Sequence, residues 1–276
     1  MILSKTKALA VAVDAARAVG RLMRKNHRTA KTINSEYLHD IKLELDVRSQ
    51  KLIEKKLHRA FPKVAFLGEE GCSGDPKADF RWVVDPIDGT VNFTYEIPHC
   101  CVSIALQKRS QETGVRNQEP GYETLVGVVY DPFCDELWTA IRGRAAYLNG
   151  KKIRVSQRRR LQDCIVSIGF GKSKESVEKG LPYLRELLRS VRKVRMMGAA
   201  ALGMTYVASG RFDAYMEKQI CLWDIAAGGL ILECAGGEFW HQRIEGEHNY
   251  QVLANNGRLR RTLENLRATA LQKPDR

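Results

Sequence analysis

The sequence predicts an α/β fold of the α+β kind, with layered sheets sandwiched by helices. Three observations lead there: short apolar runs cluster between about residues 64 and 142, strands and helices alternate afterwards, and helical patterns open and close the chain. Helices are expected near residues 4–26 and 46–60, the first amphipathic through Val19, Leu22 and Met23. Strands follow at about 64–67, 81–85, 100–108, 124–130 and 136–142. Asn149-Gly150 then marks a tight hairpin turn. Beyond it come a strand near 164–168, a helix near 174–190, a strand near 192–196 and a small-residue helix over about 199–209. A strand at 212–216, a helix from Trp223 and a basic C-terminal helix complete the series. The stretch from Lys108 to Tyr122 is polar and broken by Gly114, Pro120 and Gly121, which predicts an enlarged loop. No internal repeat is present.

At 276 residues and 44% hydrophobic, the chain has enough apolar side chains for a substantial core. It reads as one unit over 1–276, with a possible division into two lobes near 145–160. No apolar run approaches the roughly 18 residues of a membrane span. Lys5 and Lys7 before Ala8 to Val13 faintly resemble a secretory leader, but Asp14 cuts the run short, so a cytoplasmic protein without membrane association is expected. Seven cysteines, odd in number and without a Cys-x-x-Cys pair, predict buried reduced thiols. The six histidines form no metal pair at helical spacing.

The most informative segment is Asp85-Pro86-Ile87-Asp88-Gly89-Thr90. It delivers two carboxylates, a carbonyl and a hydroxyl at the end of an apolar run, where binding groups collect in α/β sheets. Pro86 offers no N–H, and Gly89 permits a sharp turn and a close backbone approach. Such oxygen donors suit a hard cation, whereas the alternative reading is a polar turn. Two further acidic segments bear on the choice. Gly68-Glu69-Glu70 ends another apolar run, and Asp224 stands where a helix begins. Read singly, Glu69 and Glu70 fit a solvated loop, and Asp224 fits a helix N-cap.

Together, Gly68-Glu69-Glu70, Asp85 through Thr90 with Asn92 and Phe93, and Trp223-Asp224-Ile225-Ala226-Ala227-Gly228 resemble the inositol monophosphatase family in order and spacing. The likeness spans nearly the whole chain. It implies the five-layer αβαβα sandwich that this family shares with fructose-1,6-bisphosphatase, and a Mg²⁺-dependent, lithium-sensitive phosphatase that is commonly a homodimer. By the same resemblance, Glu69, Asp85 and the carbonyl of Ile87 hold one metal, and Asp85, Asp88 and Asp224 a second. A third, weaker metal leans on Glu69. Glu69, Thr90 and Asp46 are the implied catalytic groups, though Asp46 also fits the N-cap of the second helix. Asp88, Gly89, Thr90, Ala200, Glu217 and Asp224 are the implied substrate contacts. Glu217 also fits an ordinary exposed acid at a strand end.

The chain departs from the family pattern in places. Ala199 stands where threonine is usual, Cys221 where animal members carry histidine, and Ser35 where lysine is usual. Asp40-Ile41-Lys42-Leu43-Glu44-Leu45-Asp46 has Leu43 in place of a threonine, which bears on the third metal and on lithium.

Hydrolysis of a dianionic monoester requires charge neutralisation, an activated water and in-line geometry, all within reach of paired divalent ions. The resemblance, with Asn92-Phe93 and Glu217, implies inositol-1-monophosphatase activity, by direct attack of water on a small phosphorylated substrate. Histidinol-phosphate phosphatase and fructose-1,6-bisphosphatase are the alternatives within the family. From another class comes a basic RNA- or protein-binding module on a phosphatase scaffold, suggested by the net charge of +13 gathered at Arg158 to Arg160, Arg192 to Arg195 and the C-terminal segment.

Overall fold

The computed structural model describes residues 3–37, 40–110, 121–171 and 174–272. Helix α1 (Lys5–Asn26) starts at Ser4, whose hydroxyl accepts the Lys7 amide, and ends with Arg24 and Lys25 against the negative pole of its dipole. Strands β1 (Ile33–Tyr37) and β2 (Asp40–Leu43) form a hairpin that feeds helix α2 (Glu44–Ala60). Next come β3 (Ala65–Gly68), β4 (Gly71–Ser73), β5 (Phe80–Asp88) and the single turn α3 (Thr90–Thr94). Strands β6 (Cys101–Arg109), β7 (Tyr122–Asp131), β8 (Glu136–Ile141), β9 (Tyr147–Leu148) and β10 (Lys151–Lys152) continue one sheet. The remainder comprises β11 (Ile165–Ile168), α4 (Lys174–Ser190), β12 (Lys193–Arg195), α5 (Ala200–Ala208), β13 (Ala214–Cys221), α6 (Leu222–Cys234), β14 (Glu238–Arg243), β15 (Asn249–Asn255) and α7 (Arg260–Gln272).

Apart from the two-stranded β1–β2 hairpin, the described strands make two sheets. The first runs β10-β9-β8-β7-β6-β5-β3-β4 and is antiparallel except for β3 beside β5; the second runs β12-β11-β13-β15-β14, with β11 parallel to both its neighbours. Three apolar layers cement them. Ala8, Ala12, Val19 and Met23 of α1 and Ile53 and Leu57 of α2 pack on Trp82, Val84, Ile104 and Val128 on one face of the first sheet. Its other face meets α5 and α6, which also cover Tyr215, Val252 and Ala254 of the second sheet. Helices α4 and α7 close the far side over Val166, Met216 and Leu253. The order is therefore αβαβα, as the resemblance implies. Apart from Asp224 and Glu233, helix α6 is apolar on every side because it lies between two sheets, and a side chain at Gly127 of β7 would collide with the Ala227 carbonyl 2.8 Å away.

Several expectations need correcting. Segment 40–46 is β2 running into α2, which places Asp46 at the third helical position rather than the N-cap. Strand β13 extends to Cys221, so Glu217 lies within it, half-buried, and not at a strand end. The β14–β15 hairpin and the β1–β2 hairpin were not anticipated. Of the seven thiols, Cys100, Cys101 and Cys164 are buried, whereas Cys72 and Cys134 are exposed. The middle of the expected 108–122 loop lies outside the described residues. Helix α1 places its Ala8-to-Val13 segment against the first sheet as part of the fold, and no described helix is long and apolar enough to cross a membrane.

Candidate active site

Strand β5 sets the site through one irregularity. Asp85 pairs with Ser103 and Asp88 with Cys101, so three steps on β5 face two on β6. In a regular strand, residues three apart point to opposite faces; the extra residue of the bulge turns both carboxylates to the same side. The Ile87 amide donates to Asp85 Oδ1 at 2.9 Å, which holds the kink. Gly89 then takes φ of 92°, with the carbonyls of His99 and Gly198 only 3.0 and 3.2 Å from where a Cβ would sit. Only glycine fits this turn without displacing backbone.

Tertiary contacts complete the cluster. Asp88 caps helix α5 from outside, accepting the amides of Ala200 at 3.1 Å and Ala201 at 2.7 Å, while the Cys101 thiol lies 3.5 Å from the same carboxylate. Asp224 is the third residue of α6, and its Oδ2 accepts the Cys221 amide at 3.0 Å. Ser103 Oγ donates to the Trp223 carbonyl at 3.1 Å, tying the start of α6 to β6. Asp85, Asp88 and Asp224 thereby bring carboxylate oxygens within 4.8 Å of one another.

Such crowding is electrostatically costly. Burial, then Glu69 and the other two aspartates, raise the Asp85 carboxyl well above its ordinary range. Burial and Asp224 push Asp88 up to about 7, although the Ala200 and Ala201 amides oppose the rise. Glu69, at the start of the β3–β4 turn, is pushed up to about 8 by burial first and then by Asp224, Asp46 and Glu70. A divalent cation relieves these terms together, and an all-oxygen set of carboxylates beside a strand-end carbonyl suits a hard ion of the Mg²⁺ type.

The other expected residues are placed around this core. The Thr90 hydroxyl donates to the Ile87 carbonyl at 2.9 Å, and Asn92 bridges the carbonyls of His99 and Met197 at 2.8 Å each, pinning α3 to the segment before α5. Asp46 is buried, takes the Leu43 amide at 2.8 Å and adds its field to Glu69. The Ala200 amide is donated to Asp88 rather than left open. Glu217 accepts the Tyr215 hydroxyl and lies against Gly169.

Three participants were missed. Lys42 places its ammonium 3.4 Å from Glu70 and lowers the proton affinity of Glu69. Tyr215, fully within the core, orients Glu217. The Ala201 amide anchors Asp88 across 113 residues of sequence. Lys42 sits in the segment that departs from the family pattern, which was the one available signal; the other two depend on tertiary packing alone.

The oxygen-rich crevice between two sheets defines a metal-assisted hydrolase of the layered αβαβα class. The family model described as "Inositol monophosphatase family" matches residues 4–273, and the chain belongs to that family. It is 38% identical over 208 residues to the inositol-1-monophosphatase of Rhizobium meliloti, covering 74% of this chain and 72% of that one. It is also 35% identical over 253 residues to the Nus factor SuhB of Escherichia coli K12, covering 90% and 89%. Among solved structures, the extragenic suppressor protein suhB of Bartonella henselae superposes with a TM-score of 0.82 at 34% identity, over 98% of this chain and all (100%) of that one. The inositol monophosphatase of Anabaena follows with a TM-score of 0.78 at 31% identity, over 98% and 97%.

Proposed function

We propose that the protein is a Mg²⁺-dependent phosphate monoester hydrolase acting as an inositol-1-monophosphatase. The observation that carries this reading is the convergence of Asp85, Asp88 and Asp224 in one buried crevice. Glu69, Asp85 and the Ile87 carbonyl would hold one ion, and Asp85, Asp88 and Asp224 a second. Bound there, the ions supply Lewis acidity for the attacking water and offset charge on the leaving oxygen. The chain's own groups do the rest. Glu69, whose proton affinity is raised by burial first and then by Asp224, Asp46 and Glu70, takes the proton from the attacking water. Thr90 orients that water through a hydroxyl already fixed on the Ile87 carbonyl. Asp88, held by two amides of α5, keeps the crevice at one width. Glu217, steadied by Tyr215, is the group that reads a substrate hydroxyl.

A third, weaker ion at Glu69 would meet the Lys42 ammonium beside Glu70, so we expect low occupancy there and altered lithium sensitivity. A homodimer is supported by Tyr95, Ile97 and Met196, apolar residues exposed by 67%, 49% and 61% in segments that Asn92 ties together beside the crevice. We treat residues 1–276 as one catalytic unit and expect it in the cytoplasm. The test is phosphate release with Mg²⁺ from inositol 1-phosphate, histidinol phosphate and fructose 1,6-bisphosphate. Preference for the first supports the reading; preference for either other moves the specificity within the family. Solvent ¹⁸O in the released phosphate, and none in the protein, is expected after one turnover.

A second reading rests on the basic surface. Arg160 and Arg192 both reach Asp163, at 2.8 and 3.3 Å, so the two basic segments around residues 158–160 and 192–195 form one patch. With relatives named Nus factor, this patch supports nonspecific nucleic-acid binding as an added property. Filter retention of RNA at physiological salt tests it, and no retention removes it.

A further inference from the structure

On the far side of the second sheet, helices α4 and α7 do not close fully over the strands. They leave an open cavity of about 780 Å³, counted out to the solvent. Its floor is Ile168, Met216 and Leu253 of the second sheet, Tyr183 of α4 closes one side, and Trp240 also lines it. Its mouth carries Lys179, Lys218 and Arg267.

The charges at the mouth are unequal in their ties. Lys179 is paired with Glu175, and the acidic Glu264 at the same mouth is paired with Arg260. Among the described residues, Lys218 and Arg267 have no ion-pair or hydrogen-bond partner. Burial, then Arg267 and Lys179, hold the Lys218 ammonium below its ordinary range, the direction expected when cations face one another across an apolar opening. The remaining acid, Glu217, engages the Tyr215 hydroxyl, and Tyr215 belongs to the layer on the other face of the sheet.

We propose that this cavity binds a small amphipathic anion, with an apolar body over Met216, Leu253 and Trp240 and a carboxylate or phosphate at Lys218 and Arg267. An apolar floor selects the body, and two cations without acidic partners select the charge. The acid crevice of the phosphatase repels such an anion and plays no part in holding it.

The test uses the full-length protein, free of divalent ions, titrated calorimetrically with sodium octanoate, octyl phosphate, 1-octanol and inorganic phosphate. Saturable binding of octanoate or octyl phosphate at one per chain is expected, and whichever head group binds better identifies the anion. Octanol and inorganic phosphate should each bind at least about tenfold more weakly. The double variant Lys218→Met, Arg267→Met keeps the alkyl stems; with an unchanged melting temperature, it should lose about tenfold for the anions and nothing for octanol. As an independent reading, tryptophan fluorescence should change on octanoate binding in the parent chain and not in Trp240→Phe. Absence of saturable binding by both anions overturns the proposal, as does octanol binding equal to octanoate, or full affinity in the double variant.

Discussion

Asp88 and Asp213 are both buried aspartates, yet their surroundings are opposite in kind. Asp213, fully inaccessible, is ringed by donors: the Ser156 hydroxyl, the Ile165 amide at 2.8 Å and Arg158 at 3.4 Å, with Asn256 bonding Ser156 at 3.0 Å behind it. This knot stitches the segment after β10 to the start of β13, and its charge is answered by its own chain. Asp88 also receives two amides, but it faces Asp85 and Asp224, and burial with carboxylate repulsion outweighs those amides. A buried acid satisfied internally is architecture. A buried acid facing other acids stores unfavourable energy that an external cation releases, and folds keep such arrangements where chemistry uses them.

The comparison can be sharpened by removing each acid in turn. Asp85→Asn should cut Mg²⁺-dependent phosphate release by more than about 1000-fold while leaving the metal-free protein at least as stable, because a repelling charge is gone. Steady-state rates and thermal melting in EDTA measure the two halves. For Asp213→Ala the pattern inverts: about 3 kcal/mol of stability is lost in denaturant unfolding, since Ser156, the Ile165 amide and Arg158 lose their acceptor, and kcat of the folded enzyme stays near that of the parent.

A third effect, smaller and graded, is the dependence of stability on pH. Glu69 and Asp88 hold their protons in the folded state up to about 8 and about 7, against ordinary values of 4.5 and 3.8. Between those limits the folded chain binds more protons than the unfolded one. The contribution is therefore full below about pH 4 and is lost as pH rises through about 8. The melting temperature of the metal-free protein should fall over that window; a flat profile would show that burial and mutual repulsion do not raise the proton affinity of these acids. The smallest expected effect is at Ala199, the N-cap of α5, which lacks a side-chain acceptor. Ala199→Thr should add about 1 kcal/mol by offering one to the Leu202 amide, visible as a modest rise in melting temperature.

Much of the site was legible because it is written locally. Asp85, Ile87, Asp88, Gly89 and Thr90 share one hexapeptide, and its strand and turn follow from a single apolar run meeting proline and glycine, whereas the bulge shows only in the pairing with β6. Most elements were legible for a similar reason, since they carry their own periodicity, whereas their five-layer order came from the family resemblance. What escaped was nonlocal. That Asp88 caps α5 cannot be read from either segment alone, nor can the hydroxyl of Tyr215 on Glu217. The β14–β15 hairpin escaped because its polar residues, among them His241, Gln242, Arg243, Asn249 and Gln251, dilute the apolar alternation, although Phe239, Tyr250 and Val252 are buried. The β1–β2 hairpin is hidden in the same way: Asn34, Ser35 and Glu36 read as loop until the pairing with Ile41 and Lys42 is seen.

The most direct measurement is Mg²⁺-dependent thermal stabilisation of the metal-stripped protein at about pH 8, comparing the parent with Asp224→Asn and with Asp213→Asn. The account predicts a melting temperature that climbs with Mg²⁺ in the parent and in Asp213→Asn, the latter from a lower start, and climbs clearly less in Asp224→Asn, which keeps intact only the ligand set of Glu69, Asp85 and the Ile87 carbonyl. An equal climb in Asp224→Asn would contradict it, because the bound ions would then make no use of Asp224.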